Sequence, residues 1–272
     1  MRKLTLALTL LALVAFAGGA LAAETILVGT TTSTADTGLL DNLVPKILKD
    51  TGLEMRWIAV GTGKALEHGK NCDVDILMVH APAAEKKFIA EGNGVSREEF
   101  MYNDFVLVGP VKDPAKIKGK GVADALKAII AAKAPFASRG DDSGTHKAEQ
   151  ALWKNAGLAL PDKESWYIGV GQGMLVTLRL AAERGAYTLT DRGTWIAFEA
   201  KDHGKSGLAI ISEGDKLLQN QYSIILLAPK CSKIKHEAAR KLQAWFLSRA
   251  GQQAIADFKL EGKGLFTPNA AK

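Results

Sequence analysis

The sequence predicts an α/β fold in which mostly parallel sheets and crossover helices form two lobes around a ligand cleft at the hinge. The composition is that of a folded globular protein, with 47% hydrophobic and 24% charged residues among 272. Short β-rich runs alternate with amphipathic stretches, which is typical of parallel strands joined by helices. Two apolar runs, 105–110 and 222–229, end in proline and are the candidate crossing points between the lobes.

These crossing points divide the chain into two predicted lobes. Lobe I combines 23–107 with 225–272, and lobe II covers 108–224. Clefts between domains are the usual sites of small ligands, so we expect the binding site where the two lobes meet.

The first 22 residues have the layout of a secretory signal peptide. Arg2 and Lys3 precede an apolar run over 4–16, and the small residues at 20–22 favour cleavage just after them. A membrane anchor is the alternative, but the uncharged run is short for a bilayer span and has a small-residue exit. We therefore expect a signal peptide over 1–22 and a freely diffusing periplasmic protein.

Predicted strands and helices follow one another along the rest of the chain. The predicted strands are 25–28, 55–60, 74–79, 105–108, 166–170, 208–211 and 222–227. The predicted helices are 83–91, 121–132, 145–156, 172–184 and 236–249. A further apolar stripe over 39–48 predicts a helix that Pro45 kinks or restarts.

Two strand-to-helix junctions in the first lobe are rich in hydroxyl groups and glycine. Five consecutive Ser and Thr residues over 30–34 follow the first strand, and Gly61, Thr62 and Gly63 follow the second. Hydroxyl donors beside the unpaired N–H groups of a helix start can bind an anion. Ser and Thr also favour helix caps, so capping with spare hydroxyls is the alternative.

A third junction, over 137–146, adds a permanent positive charge. Arg139 carries a donor fork that suits an oxyanion, and Ser138, Ser143 and Thr145 are neutral donors. An exposed, capped turn with a surface arginine is the alternative for this segment.

Two more junctions have weaker signals. The glycine-rich run 169–173 precedes a helix, lacks the dinucleotide fingerprint and is expected to line the cleft. The run 187–194 places hydroxyls and Arg192 at another helix start, where a local ion pair with Asp191 or Glu199 is the alternative to a ligand contact. Several such junctions in one chain predict a pocket that surrounds a small anion with oriented dipoles.

Cys72 and Cys231 are 159 positions apart, and both lie beyond the predicted cleavage point. In an oxidising compartment an even pair of cysteines can form a disulfide. Two free, buried thiols are the alternative, because a sequence does not show whether the two Cα atoms approach closely enough.

Three longer runs resemble the tungstate-binding proteins of Tup-type ABC transporters. They are 29–41, 102–110 and 138–146, and matches at 166–173 and 187–195 extend the likeness over about 25–270. The resemblance implies a periplasmic binding-protein fold whose lobes close on tungstate, often also molybdate, and deliver it to an inner-membrane permease. The sequence has no nucleophile elbow and its five histidines lack metal-ligand spacing, so we expect no enzyme activity, no cofactor and no protein-bound metal cation, and we expect a monomer.

The resemblance also implies which residues contact the ligand. The Thr/Ser motif of the family falls on 30–33, where we favour Thr31, Thr32 and Ser33 over Thr30. The other implied ligand contacts are Thr62, Ser138, Arg139, Ser143, Thr145 and, from a looser match, Arg192.

Other functions remain open at this point. The same donors would serve molybdate, sulfate or phosphate, and Asp141 or Asp142 could accept the proton of phosphate. Ser143 and His146 are three positions apart and with Asp142 invite a hydrolase hypothesis, but no nucleophile elbow is present. A pI of 9.2 would suit a nucleic-acid binder, yet the lysines are scattered and the protein is expected to be exported.

Overall fold

The computed structural model of the protein describes residues 23–271. The predicted signal peptide, 1–22, lies outside the described residues. Within 23–271, no helix is both long enough and apolar enough to cross a membrane.

Strands and helices alternate from one end of the described chain to the other. The strands are β1 (Glu24–Thr31), β2 (Leu53–Val60), β3 (Ile76–Val79), β4 (Gly94–Pro110), β5 (Phe136–Ser138), β6 (Tyr167–Gly169), β7 (Thr188–Asp191), β8 (Leu208–Ser212), β9 (Gln219–Leu227), β10 (Lys259–Leu260), β11 (Lys263–Gly264) and β12 (Thr267–Pro268). The helices are α1 (Thr32–Asp36), α2 (Leu39–Thr51), α3 (Thr62–Lys70), α4 (Pro82–Ala90), α5 (Val122–Ala132), α6 (Gly144–Asn155), α7 (Met174–Arg184), α8 (Arg192–Asp202), α9 (His236–Leu247) and α10 (Arg249–Ala256).

Eight of the strands form one mixed sheet, and we call its two parts, with the elements that pack on them, half A and half B. Strands β5 and β6 form a separate two-stranded sheet in half B, and β10 pairs with β11. In half A the order is β12-β4-β9-β3-β1-β2, with β1 parallel to both β2 and β3 and with β9 antiparallel to β3 and β4. In half B, β7 and β8 pair antiparallel with the end of β4, and β5 runs parallel to β6. The predicted α/β fold is confirmed; the antiparallel pairs arise because β4 and β9 carry the chain between the halves.

Strand β4 belongs to both halves. Residues 94–104 pair with β9, whereas 105–110 pair with β7 and β8. Strand β9 pairs with β4 from Gln219 onward, so the chain has returned to half A before the segment 222–229 in which we expected the return. The predicted lobe boundaries at 107/108 and 224/225 stay a prediction, and the strand pairing by itself favours about 104/105 and 218/219.

Each half is a three-layer sandwich with helices on both faces of its strands. Helices α2, α9 and α10 pack on one face of half A, and α3 and α4 pack on the other. In half B, α5 and α6 cover one face and α7 and α8 the other. Apolar burial on both faces of both halves is the dominant stabilising contribution.

Helix α2 runs from Leu39 to Thr51 without the interruption that Pro45 suggested. Proline removes the hydrogen bond to the carbonyl four residues earlier, which belongs to Asp41. Pro45 and Asp41 are both exposed, so water can satisfy that carbonyl and the helix continues.

A disulfide bond joins Cys72 to Cys231, with their Cα atoms 5.3 Å apart. It ties the segment just after α3 to the segment just after β9. Helix α3 begins at Thr62, so the bond holds the far end of a helix whose first residue is a predicted site residue.

Candidate functional site

The predicted binding segments follow the carboxyl ends of parallel strands. In half A, β1 and β2 are in register with Thr31 opposite Val60, and the 30–34 run and Gly61 follow at that edge. Strand β3 ends one residue before His80. In half B, the parallel strands β5 and β6 end at Ser138 and Gly169. Carboxyl ends of parallel strands meet at one edge of a sheet, which is where α/β folds bind ligands.

Four buried hydroxyl groups at these ends have no hydrogen-bond partner among residues 23–271: those of Thr30, Thr62, Ser138 and Thr145. None of the four residues is more than 1% exposed. A buried hydroxyl without a partner costs about 1–3 kcal/mol, so such groups are rare and call for an explanation. All four belong to segments that the sequence predicted as anion-binding, and the explanation we adopt is a ligand that accepts their hydrogens.

The start of α6 brings the two halves into contact at this point. A Cβ atom placed on Gly144 would lie 2.9 Å from Thr62 Oγ1 and 2.7 Å from His80 Cε1. A Cβ on Gly61 would lie 3.7 Å from Ser143 Cα. Only glycine at 144 allows this approach, because a methyl group would overlap His80. A cavity of about 150 Å³, lined in part by His80, Gly144 and Phe105, adjoins the contact.

His80 is a site residue that the sequence reasoning missed. Its Nε2 lies 3.0 Å from Thr31 Oγ1 and 3.3 Å from Ser33 Oγ, and its Nδ1 lies 2.9 Å from Asn220 Oδ1. The Asn220 amide nitrogen donates to Asn103 Oδ1 at 2.7 Å, so its Oδ1 is free to accept from His80 Nδ1–H. Burial lowers the pKa of His80 to about 4, so the ring is neutral at pH 7 and Nε2 accepts a hydrogen bond.

The threonine run divides into hydroxyls with and without protein partners. Thr31 Oγ1 lies 2.6 Å from Thr34 Oγ1, accepts from Thr34 N–H at 3.4 Å and contacts His80, so it caps α1. Thr30 Oγ1 is unpartnered within the described chain, and Thr32 is half-buried. The hydroxyl of Thr31 is therefore engaged within the protein and that of Thr30 is not, while the expected order of ligand contacts, with Thr31 before Thr30, stays a prediction.

Arg139 is buried, with 3% of its side chain exposed. Its Nε donates to Gln172 O at 2.8 Å and its Nη2 to Asp141 Oδ2 at 2.5 Å, while Nη1 makes no hydrogen bond to residues 23–271. The positive charge of Arg139 also acts on the buried carboxyl of Asp191. Burial raises the pKa of Asp191, and hydrogen bonds from Thr194 and the charge of Arg139 oppose that rise. The guanidinium is thus a fixed positive charge with one edge free, as an anion site requires.

Ser143 and Thr145 stand at the start of α6. Ser143 Oγ accepts from His146 N–H at 3.2 Å, so it caps the helix and keeps its own hydrogen available. The imidazole of His146 does not contact this hydroxyl: its Nδ1 accepts from Asp142 N–H at 3.1 Å. Ser143 and His146 therefore lack the hydroxyl–imidazole hydrogen bond that a Ser–His nucleophile needs, which argues against the hydrolase hypothesis for this pair.

Arg192 is held by two carboxylates. Its Nε and Nη2 donate to the two oxygens of Asp104 at 2.7 and 2.5 Å, and Nη2 also donates to Glu213 at 2.7 Å. Neither local partner that we considered, Asp191 or Glu199, takes this role. The structure thus gives Arg192 ion-pair partners at the crossing between the halves, and its contact with a ligand stays a prediction.

Comparison with known proteins gives consistent matches over most of the chain. The family model described as a PBP superfamily domain matches residues 18–250. The tungstate-binding protein TupA of Peptoclostridium acidaminophilum is 47% identical over 253 residues, which are 91% of this chain and 86% of that protein.

Two solved structures have the same fold over nearly their whole length. The tungstate-binding protein TupA from Desulfovibrio alaskensis G20 superposes with a TM-score of 0.81 at 57% identity, covering 92% of this chain and 100% of that one. The tungstate ABC transporter structure from Geobacter sulfurreducens has a TM-score of 0.78 at 46% identity and covers 86% of this chain and 99% of that one.

Proposed function

Because the chain belongs to the TupA family of tungstate-binding proteins within the PBP superfamily, we infer that it captures tungstate outside the cytoplasm and delivers it to an ABC permease. It is a solute-binding protein and not an enzyme, and its ligand is an oxyanion and not a cofactor. The observation that carries the inference is the set of four buried hydroxyls without a partner within residues 23–271, together with the buried Arg139, whose Nη1 makes no hydrogen bond there.

The donor set matches the chemistry of tungstate. At neutral pH this anion carries two negative charges and has four oxygens that only accept hydrogen bonds. We propose that it is held by Thr30, Thr62, Ser138, Arg139, Ser143 and Thr145, together with backbone N–H groups at the starts of α3 and α6. Each hydrogen bond to a charged ligand contributes about 1.5–3 kcal/mol, and one arginine with two helix N-termini balances the charge.

Thr32, Ser33 and Arg192 take other positions in this proposal. Ser33 Oγ lies 3.3 Å from His80 Nε2, so it supports the ligand contacts from behind. Thr32 is half-buried at the start of α1. Arg192 stays with Asp104 and Glu213 and does not contact the anion.

Phosphate suits the site less well than an unprotonated oxyanion. Near pH 7 phosphate retains a proton and needs an acceptor for it, and Asp141 and Asp142 were the candidates. Asp141 accepts from Arg139 and from the Ser143 N–H, and Asp142 is exposed and paired with Lys147. These carboxylates are occupied, so the pocket favours tungstate, molybdate and sulfate over phosphate.

We further propose that half A and half B are lobes that close on the anion, that the mature protein is a periplasmic monomer and that residues 1–22 are removed on export. Close approach of Gly144 to His80 and Thr62 supports closure, because it joins the start of α6 in half B to two residues of half A. The antiparallel strands β4 and β9 connect the halves and form the natural hinge.

Calorimetric titration of the mature chain with tungstate, molybdate, sulfate and phosphate tests the function. We expect tight one-to-one binding of tungstate, weaker binding of sulfate and none of phosphate, and elemental analysis of the loaded protein should find one tungsten per chain. Absence of tungstate binding, or equal affinity for all four anions, would overturn the inference.

A further inference from the structure

Glu149 is a buried carboxyl group directly behind the proposed anion site. It lies one helical turn after Thr145 on α6, and residues four apart share a face of a helix. Only 2% of Glu149 is exposed. Its Oε1 accepts from Trp153 Nε1 at 3.1 Å and from the Tyr167 hydroxyl at 2.7 Å.

No positive charge is paired with this carboxyl in the part of the chain that the structure describes. The groups that face it are Ser138 from β5, Tyr167 from β6 and Trp153 from its own helix, and Asp162 acts on Tyr167. Burial raises the pKa of Glu149 to about 7, against the opposing effect of the three donors. Glu149 therefore exchanges its proton near neutral pH, which an ordinary surface glutamate does not.

Ser138 follows Phe136 by two residues on β5, so the two side chains lie on the same face of the strand. The Phe136 ring packs against Trp153 and Tyr167, the two donors to Glu149, and the Ser138 hydroxyl beside it makes no hydrogen bond within residues 23–271. This hydroxyl also lowers the pKa of both Glu149 and Tyr167. A serine hydroxyl has one hydrogen to donate and two lone pairs that accept. The hydrogen can point to the carboxylate or to the anion, but not to both.

We propose that Glu149 is a positioning residue that directs the Ser138 hydrogen toward the anion. When Glu149 is protonated, its O–H donates to Ser138 Oγ, and the Ser138 hydrogen is free for a tungstate oxygen. When Glu149 is ionised, the carboxylate accepts that hydrogen, the anion loses one donor, and a second negative group lies behind the site.

The proposal, which rests on the proposed function, couples anion binding to a proton. The dianion favours the neutral form of Glu149, so an ionised Glu149 takes up one proton from buffer as tungstate binds. Affinity should therefore be highest below the pKa of Glu149 and should fall as the pH rises through it. The loss of one hydrogen bond to a charged group predicts a decrease of at least about tenfold.

The test is calorimetry of the mature protein with sodium tungstate from pH 6.5 to 9. Titrations at pH 7.5 in buffers of different ionisation enthalpy count the protons taken up. We expect a fraction of one proton for the wild type and none for Glu149→Gln, whose amide donates to Ser138 at every pH. The affinity of Glu149→Gln should not change with pH, whereas Glu183→Gln, at an exposed position on α7, should follow the wild type.

Tyr167→Phe provides a second, independent variant. It removes a donor that stabilises the carboxylate, so the pKa of Glu149 rises further and the decrease in affinity should move to higher pH. This variant and the wild-type proton count keep the test decisive where Glu149→Gln does not fold. Equal pH dependence in Glu149→Gln and wild type, an unmoved midpoint in Tyr167→Phe, or zero proton uptake would overturn the proposal. A wild type that binds no tungstate at any pH would instead overturn the proposed function.

Discussion

The Nε2 atom of His80 lies 3.0 Å from the Oγ1 atom of Thr31, while the hydroxyl of the preceding Thr30 has no partner within residues 23–271. Successive side chains of a strand point to opposite sides, so these two threonines at the end of β1 face different surroundings. One hydroxyl is part of the protein framework, and the other is left for a ligand.

Substitution of each threonine by valine should separate these two roles. Thr30→Val should lower tungstate affinity by at least about tenfold and leave the free energy of unfolding unchanged or up to about 1 kcal/mol higher, because it removes a buried, unpaired hydroxyl. Thr31→Val should lower the free energy of unfolding by about 1–2 kcal/mol, because it leaves His80 and the start of α1 without a partner. Calorimetry and urea denaturation measure both quantities, and a Thr30→Val protein with unchanged affinity would reverse the assignment.

Substitution of Arg139 should weaken tungstate binding strongly, whereas the same substitution at Arg192 should have almost no effect on affinity. Arg139→Ala removes a buried charge with a free edge at the site and should weaken tungstate binding by about 2–5 kcal/mol, or roughly thirtyfold to several thousandfold. Arg192→Ala removes a partly exposed ion pair and should change affinity by less than about threefold. Calorimetric titration with tungstate measures the affinity of both variants. A loss of affinity in Arg192→Ala as large as that in Arg139→Ala would support the ligand contact that the sequence predicted for Arg192.

Much of the fold could be predicted because β-rich and helical patterns alternate clearly in the sequence. Strands β5 and β7 escaped prediction because they are only three and four residues long and contain Ser and Thr. The first part of β4 escaped because Arg97, Glu98 and Glu99 break the apolar pattern; this part pairs with β9 and carries an ion pair between Arg97 and the buried Glu85.

The site was predicted from residue types at strand ends, and contacts between distant segments are what the sequence could not show. Local strand and helix patterns were enough to locate four of the candidate residues, Thr62, Ser138, Arg139 and Thr145. The carboxylates of Arg192 are 88 and 21 residues away in sequence, so no local pattern shows them. His80 could have been found, because it directly follows the predicted strand 74–79, as the hydroxyl run follows the first strand.

Stability should depend on pH through His80 in the oxyanion-free protein. The unfolded side chain binds a proton below about pH 6.5, whereas the folded one does so only below about 4, so the unfolded state gains more protons on acidification. The free energy of unfolding of wild type relative to His80→Gln should therefore fall by about 3 kcal/mol from pH 6.5 to pH 4 and stay constant above pH 7. Urea denaturation of both proteins at four pH values measures this difference, and a difference that does not change with pH would contradict the buried, neutral imidazole.

The disulfide should stabilise the fold without contributing to affinity. It closes a loop of 159 positions, for which loop entropy predicts up to about 5 kcal/mol, while measured values are typically about 2–4 kcal/mol. Cys72→Ala/Cys231→Ala should lose stability in this range and bind tungstate as tightly as wild type, because the bond lies at the far end of α3 from Thr62. Denaturation and calorimetry on the double variant check both statements, and a large affinity loss in a folded variant would show that the bond positions α3 for binding.

Closure of the halves over the anion can be tested by the substitution Gly144→Ala, which adds one methyl group where the halves meet. Gly144 is the first residue of α6, where a Cβ would overlap His80 Cε1 and crowd Thr62 Oγ1, whereas nothing lies within 4 Å of a Cβ placed on Gly173 at the start of α7. Gly144→Ala should therefore keep the halves apart and lower tungstate affinity by at least about tenfold, or 1.4 kcal/mol. Gly173→Ala should bind like wild type, and both variants should fold, since neither position requires a left-handed backbone. Small-angle scattering should show ligand-induced compaction in wild type and Gly173→Ala only. Full compaction and full affinity in Gly144→Ala would mean that α6 does not meet His80 in the closed protein and that the halves close along another surface.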